Sequence, residues 1–301
     1  MSMETTPVIQ IAFDAVMQTG ESPLWHADEQ ALYWVDIPGR TVHRLDPASG
    51  AHQQWMLDTE PASLAIADQG GLIVATRAGV LHLDTSTADV RTTVIAPAPY
   101  DTAITRFNDG KVDGAGRYWI GTIYEPRDQP AAEMYVLEQG KLRQAWAGGM
   151  TNSNGLAFSP DGLTMYHADT SAHLVRRFAF DIGAGTVGAE RPLKQFSSDK
   201  ANNYGGRPDG AAVDSEGNYW SALFEGARIV KLSPDGEVLA EIALPVRCPT
   251  MVAFGGPNLR TLYVTSAGAR PAEELAQYPF SGKLLAIQVD VAGRLEPAYR
   301  Q

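Results

Sequence analysis

Cysteine is nearly missing from this sequence: Cys248 is the only one in 301 residues. No internal disulfide can form, and an isolated thiol reads as a small core residue rather than a nucleophile. Long apolar runs are missing as well. The opening stretch MSMETTPVIQIAFDAVMQTG carries an early Glu, no basic cluster and no extended hydrophobic segment. Neither a secretory leader nor a membrane span is expected, and the expected compartment is the cytoplasm. Positive charge is scarce: 24 Lys and Arg stand against 35 Asp and Glu, a net charge of −11. Nucleic acid and anionic membranes are therefore disfavoured as partners, whereas a cation is suited. Helical periodicity is almost absent, and no Cys or His set has the spacing of a structural zinc site. Neither a Gly-x-Ser-x-Gly elbow nor a Ser/His/Asp order is present, which argues against a serine esterase. The six histidines, His26, His43, His52, His82, His167 and His173, share no register. None is expected to be catalytic, and His167 reads as a buried structural group.

What the chain has is punctuation for short strands, with 29 Gly and 19 Pro in a composition that is 44% hydrophobic and 20% charged. One pattern recurs six times: an alternating apolar run, a tight turn with Asp or Gly, and an aromatic-rich second run. The copies are ESPLWHADEQALYWVDI, SLAIADQGGLIVATR, NDGKVDGAGRYWIGTI, NGLAFSPDGLTMYHADT, DGAAVDSEGNYWSALF and TMVAFGGPNLRTLYVTS. Each is a hairpin signature, usually followed by a further short strand. Alignment at the first residue makes Glu21, Ser63, Asn108, Asn154, Asp209 and Thr250 equivalent, with steps of 42, 45, 46, 55 and 41 residues. Four-stranded units of that length are propeller blades, so the expectation is an all-β, six-bladed β-propeller forming one domain over residues 1–301. The last copy holds only three strands. The early strand VIQIAFD is expected to supply its fourth and close the ring, removing the free edge.

The equivalence has a chemical consequence, because the first strand of a blade is the innermost and its start points at one mouth of the channel. Glu21, Asn108, Asn154 and Asp209 would then form a ring of oxygen donors, and carboxylates left unpaired in a dry channel are costly. A cation removes that cost, and oxygen-only ligands suit Ca²⁺, Mg²⁺, Mn²⁺ or Fe²⁺, with carboxylate-bound Zn²⁺ still open. Taken singly, Asn154-Gly155 and Asp209-Gly210 read equally well as turn dipeptides, and Glu21 as a solvated loop residue. Their shared repeat position favours the ring. Ser63 and Thr250 read as small polar walls, and Asp113, Asp161 and Asp214 as turn residues bonding backbone.

At GESPLW with VDI (residues 20–37), RFNDGKVDGAGRYWIGT (106–122), NGLAFSPDG (154–162) and RPDGAAVDSEGNYW (207–220), the chain resembles the SMP-30/gluconolactonase/luciferin-regenerating-enzyme-like propellers, a family that includes regucalcin, gluconolactonase and bacterial aldonolactonases. The resemblance runs over nearly the whole length. It implies one divalent metal ion held by Glu21, Asn154 and Asp209, and a substrate pocket containing Arg106, Asn108 and Glu125. It also implies hydrolysis of a sugar lactone to its aldonic acid, with the metal polarising the carbonyl and Asp209 orienting or deprotonating water. Two further readings stay open: a non-enzymatic calcium-binding regulator, and a hydrolase of phosphotriesters or other lactones. The segments 123–133 and 197–208 match no motif and are expected to shape the channel mouth. Sugar identity, metal identity and oligomeric state are not legible.

Overall fold

The structure, a computed structural model, describes residues 7–202 and 204–301. Residues 1–6, the beginning of the stretch in which no leader is expected, and Asn203 in the 197–208 segment lie outside the described residues. Six four-stranded antiparallel sheets make up a six-bladed β-propeller. The inner strands of blades 1 to 6 are Gly20–His26, Pro61–Ile66, Thr105–Val112, Ser153–Phe158, Arg207–Val213 and Pro249–Gly255. Each packs against the inner strand of the next blade, and that of blade 6 packs against that of blade 1. Blades 1 to 5 are sequential meanders, whereas blade 6 takes its outermost strand, Ile9–Phe13, from the start of the chain. One short helix, Ala272–Gln277, interrupts the all-β pattern among the described residues. Among the described residues no helix is long and apolar enough to cross a membrane.

The aromatic second strands make the walls between blades. Trp34, Tyr118, Trp119 and Tyr219 are all fully buried, where large rings contribute the most apolar area. The turn aspartates fix these walls as well as the turns. Asp113 accepts the Ala115 and Arg117 N–H groups through Oδ1 and the Trp119 indole N–H through Oδ2 at 2.9 Å. Asp214 repeats the arrangement with Glu216, Asn218 and Trp220. Asp161 accepts the Leu163 N–H and the Ser159 hydroxyl.

Side chains at or beside the aligned position stitch neighbouring inner strands together. Ser22 Oγ accepts the Leu64 N–H at 2.8 Å, Tyr118 donates to Ser63 Oγ at 2.7 Å, and Thr250 Oγ1 donates to the Gly20 carbonyl at 2.5 Å. Cys248 is buried and His167 is fully buried with its Nε2 on Ser153 Oγ at 3.0 Å, both structural positions.

Candidate active site and metal centre

Every inner strand carries one extra residue relative to its partner at the level of the aligned position. The register slips between Glu21 and Leu24, Pro61 and Ser63, Phe107 and Gly110, Asn154 and Ala157, Pro208 and Ala211, and Pro249 and Val252. A bulge releases the residue from the ladder and re-aims its side chain. The slip leaves Asn108, Asp209 and Thr250 unpaired with their second strands, whereas Glu21, Ser63 and Asn154 stay paired with Val35, Ala75 and Ala168 at its edge. The residue after the aligned one reaches positive φ in two blades, 56° at Gly155 and 49° at Ser22. Gly155 fits this at no steric cost, and an added Cβ there would fall 2.2 Å from the Tyr219 hydroxyl.

Arg106 and Asn154, two of the expected residues, come together through a third, Asn108. Its Nδ2 donates to Asn154 Oδ1 at 2.9 Å and to the Ser153 carbonyl at 2.8 Å, while its Oδ1 accepts Arg106 Nη1 at 2.8 Å. Asn154 Nδ2 donates onward to Thr170 Oγ1 at 2.7 Å, which leaves its amide oxygen as the acceptor end facing Asn108. Arg106 Nη1 also bonds the Phe107 carbonyl. Glu125 stands at the mouth, held by Arg77 through two bonds of 2.9 Å, with Arg106 Nε 3.6 Å away. Arg77 is held in turn by Glu60 and the Thr102 carbonyl.

The charges of Asp209 and of a third carboxylate, Asp109, act on Glu21, and that of Asp109 acts on Asp209 as well. Burial raises the Glu21 carboxyl well above the usual range, and the charges of Asp209 and Asp109 raise it further. Asp209 is raised by burial first and by Asp109 second, with Arg207 and Arg106 pulling the other way. Burial brings Asp109 up to about 6 against the opposing charge of Lys111. Asp109 Oδ2 accepts the Leu156 N–H at 2.9 Å, but its Oδ1 is buried and has no partner. Three carboxylates are thus drawn into one dry region, and the protein's own cations only partly compensate them.

Sequence reasoning missed Asp109, Arg77 and Arg207. Asp109 had a readable signal, being the one carboxylate at the position after the aligned residue, where the other blades carry Ser22, Leu64, Gly155, Gly210 and Met251. Arg77 had none, since its role depends on blade 2 meeting the blade 3 loop.

A divalent ion fits these residues on their chemistry. Two buried, only partly compensated carboxylates and an amide oxygen would give a hard, oxygen-only donor set of charge −2, and the unpartnered Asp109 oxygen belongs to a carboxylate whose charge acts on both. Among the described residues no three His, Cys, Asp or Glu side chains converge to hold a metal by themselves, so the fit involves the Asn154 oxygen.

Residues 19–268 match the model of the SMP-30/Gluconolactonase/LRE-like region. The chain is 46% identical over 281 residues to a 6-deoxy-6-sulfogluconolactonase of Pseudomonas putida, covering 93% of this chain and 94% of the relative. It is 35% identical to the pentonolactonase XacC of Haloferax volcanii over 255 residues, covering 85% and 84% of the two chains. Among solved structures, the calcium-binding protein regucalcin from Agrobacterium tumefaciens superimposes with a TM-score of 0.90 at 28% identity, covering 99% of this chain and 98% of that one. With four-fifths of its length matched by the family model and a lactonase related along almost all of it, the chain belongs to the SMP-30/gluconolactonase/LRE-like family.

Proposed function

We propose that this protein is a metal-dependent sugar lactonase that hydrolyses an aldonolactone to the aldonic acid, acting as a single cytoplasmic domain over residues 1–301. The Ile9–Phe13 strand serves as the latch that closes the ring. The observation that carries the reading is the group of buried carboxylates, Glu21 and Asp209 with Asp109 beside them, next to the Asn108–Asn154 amide pair at a polar mouth. Glu21, Asp209 and Asn154 would hold one divalent ion, and when bound it supplies the positive charge that polarises a lactone carbonyl.

Asp209 orients the attacking water or takes its proton as the water oxygen adds to the carbonyl carbon. When the ring C–O bond breaks, that proton goes to the departing oxygen, which becomes the hydroxyl of the open acid. Arg106 and Asn108 hold sugar hydroxyls, and because Asn108 is fixed by three hydrogen bonds of 2.8–2.9 Å it presents them without reorganisation. Glu125 reaches the pocket edge in a position set by Arg77.

The test is acid release from gluconolactone, pentonolactones and 6-deoxy-6-sulfogluconolactone by metal-stripped protein, with Ca²⁺, Mg²⁺, Mn²⁺, Fe²⁺ or Zn²⁺ then restored. Metal-dependent acceleration is expected, and Asp209→Asn should lower kcat by at least about 10²-fold while far-ultraviolet circular dichroism stays unchanged. Tight metal binding with no acceleration for any lactone would instead favour the calcium-binding regulator. The charged groups at the mouth, Arg77, Arg106 and Glu125, argue against an apolar phosphotriester as substrate.

A further inference from the structure

After the last strand, Leu284–Gln288, the chain adds nothing to a blade and crosses the end of the channel opposite the candidate site. The Gly293 N–H bonds the Leu259 carbonyl of blade 6, and the Ala292 carbonyl accepts the Ser215 N–H of blade 5. Arg294 Nη1 reaches the Phe158 carbonyl of blade 4, and the Tyr299 N–H bonds the Ile66 carbonyl of blade 2. Phe158 and Ile66 are the last residues of their inner strands, so the tail lies over the far ends of those strands.

Blade 3 meets the tail through charge. Lys111, the only lysine on any inner strand, donates to Glu296 Oε1 of the tail at 2.9 Å. The Lys111 side chain is 9% exposed and that of Glu296 23%. Almost no open space separates this pair from the level of the site. The cavity there measures about 10 Å³ and is lined by Ser22, Leu64 and Met251, each the residue after the aligned position, and by Lys111, Glu296 and Pro297. It holds one water at most, so charges act across it with little screening. Lys111 and Glu296 both act on Asp109, in opposite senses, and Asp109 acts on Glu21 and Asp209.

An ammonium beneath a cation site opposes its occupancy, and a carboxylate set against that ammonium cancels the opposition. We infer that Lys111 and Glu296 are an opposed charge pair that sets the divalent-ion affinity of the site from the far end of the channel: Lys111 lowers it, and Glu296, a positioning residue acting beside Lys111, restores it. The inference rests on the metal-dependent reading and deepens it. A pair that only tied the tail down would weaken metal binding whichever partner was removed, whereas an electrostatic pair gives opposite signs.

The experiment is calorimetry of metal-stripped full-length protein titrated with Ca²⁺, Mg²⁺, Mn²⁺ or Zn²⁺ at alkaline pH, where protons compete less for the raised carboxyls. Wild type is compared with Lys111→Met, Glu296→Gln, the double variant and the exposed control Arg91→Met. For the ion bound most tightly, Lys111→Met should lower Kd by about 3–30-fold and Glu296→Gln should raise it by a similar factor. The double variant should fall between them, and Arg91→Met should match wild type. If Lys111→Met does not fold, the partly exposed Glu296→Gln decides by the direction of its change. Weaker binding in both single variants, or a change below about 2-fold in each, overturns the inference and leaves the metal reading standing. Failure of wild type to bind any of the four ions overturns both.

Discussion

Replacing Gly121 by alanine should damage the fold and the site together. Gly121 lies on the second strand of blade 3, where the start of the blade 4 inner strand presses against it through the Ile123–Asn152 bridge. A Cβ built at Gly121 would lie 2.3 Å from Ser153 Cβ and 1.8 Å from Ser153 Oγ. Side-chain carbons pack at about 3.5–4.0 Å, so relief requires a shift of more than about 1 Å. Rotating Ser153 cannot supply it, because its Cβ is fixed to the backbone.

Overpacking of this kind costs about 1–3 kcal/mol, and a clash with an atom this rigid belongs at the upper end. The shift also displaces Asn154, the next residue. Ser153→Gly alone removes the hydroxyl that His167 Nε2 contacts, at a cost of about 1–3 kcal/mol, since His167 Nδ1 has no partner either. Combined with Gly121→Ala, however, it removes both clashing atoms. Urea unfolding followed by tryptophan fluorescence should therefore show the double variant no less stable than Ser153→Gly, a favourable coupling of at least about 2 kcal/mol. A cost below about 1 kcal/mol for Gly121→Ala, or one that persists in the double variant, would refute the reasoning.

Other perturbations follow from the same geometry. Tyr299→Ala should cost about 3–5 kcal/mol in urea unfolding, because Tyr299 is fully buried in the blade 2–3 core and its hydroxyl accepts the Gly140 N–H at 2.7 Å; a loss under about 1 kcal/mol would show that the C-terminal tail is not anchored there. Burial holds His167 down to about 3, so the unfolded chain takes up a proton that the native state refuses as pH falls from about 6.5 towards 3. The stability lost between pH 7 and pH 5 should thus shrink by about 2 kcal/mol in His167→Asn, and an unchanged difference would contradict this. Arg106→Ala should raise KM by about 10-fold or more with a much smaller change in kcat, as loss of a group that holds ground state and transition state alike; a selective loss of kcat would assign Arg106 to the chemical step. A saturating divalent ion at about 100 times its Kd should stabilise wild type by about 2.7 kcal/mol, whereas Glu21→Gln should respond far less, and an equal response would remove Glu21 from the ligand set.

Much of the fold was readable because a propeller is a local code repeated. The turn aspartates Asp113, Asp161 and Asp214, the aromatic second strands and the aligned position of Glu21, Ser63, Asn108, Asn154, Asp209 and Thr250 all depend on residues within one hairpin, and the sequence alone determined them. Register and strand order within each blade follow from alternation, which a single slip would invert. What only the tertiary structure decided arises between blades. Asp109 reaches across to the Leu156 N–H, Arg77 crosses to Glu125, and Glu225 draws Arg207 at one carboxylate oxygen while Tyr204 and Lys200 bond the other. The reason is physical: hairpin patterning depends on neighbours a few residues away, whereas the charge state and free donors of a site depend on which distant groups arrive there, and no local period encodes that.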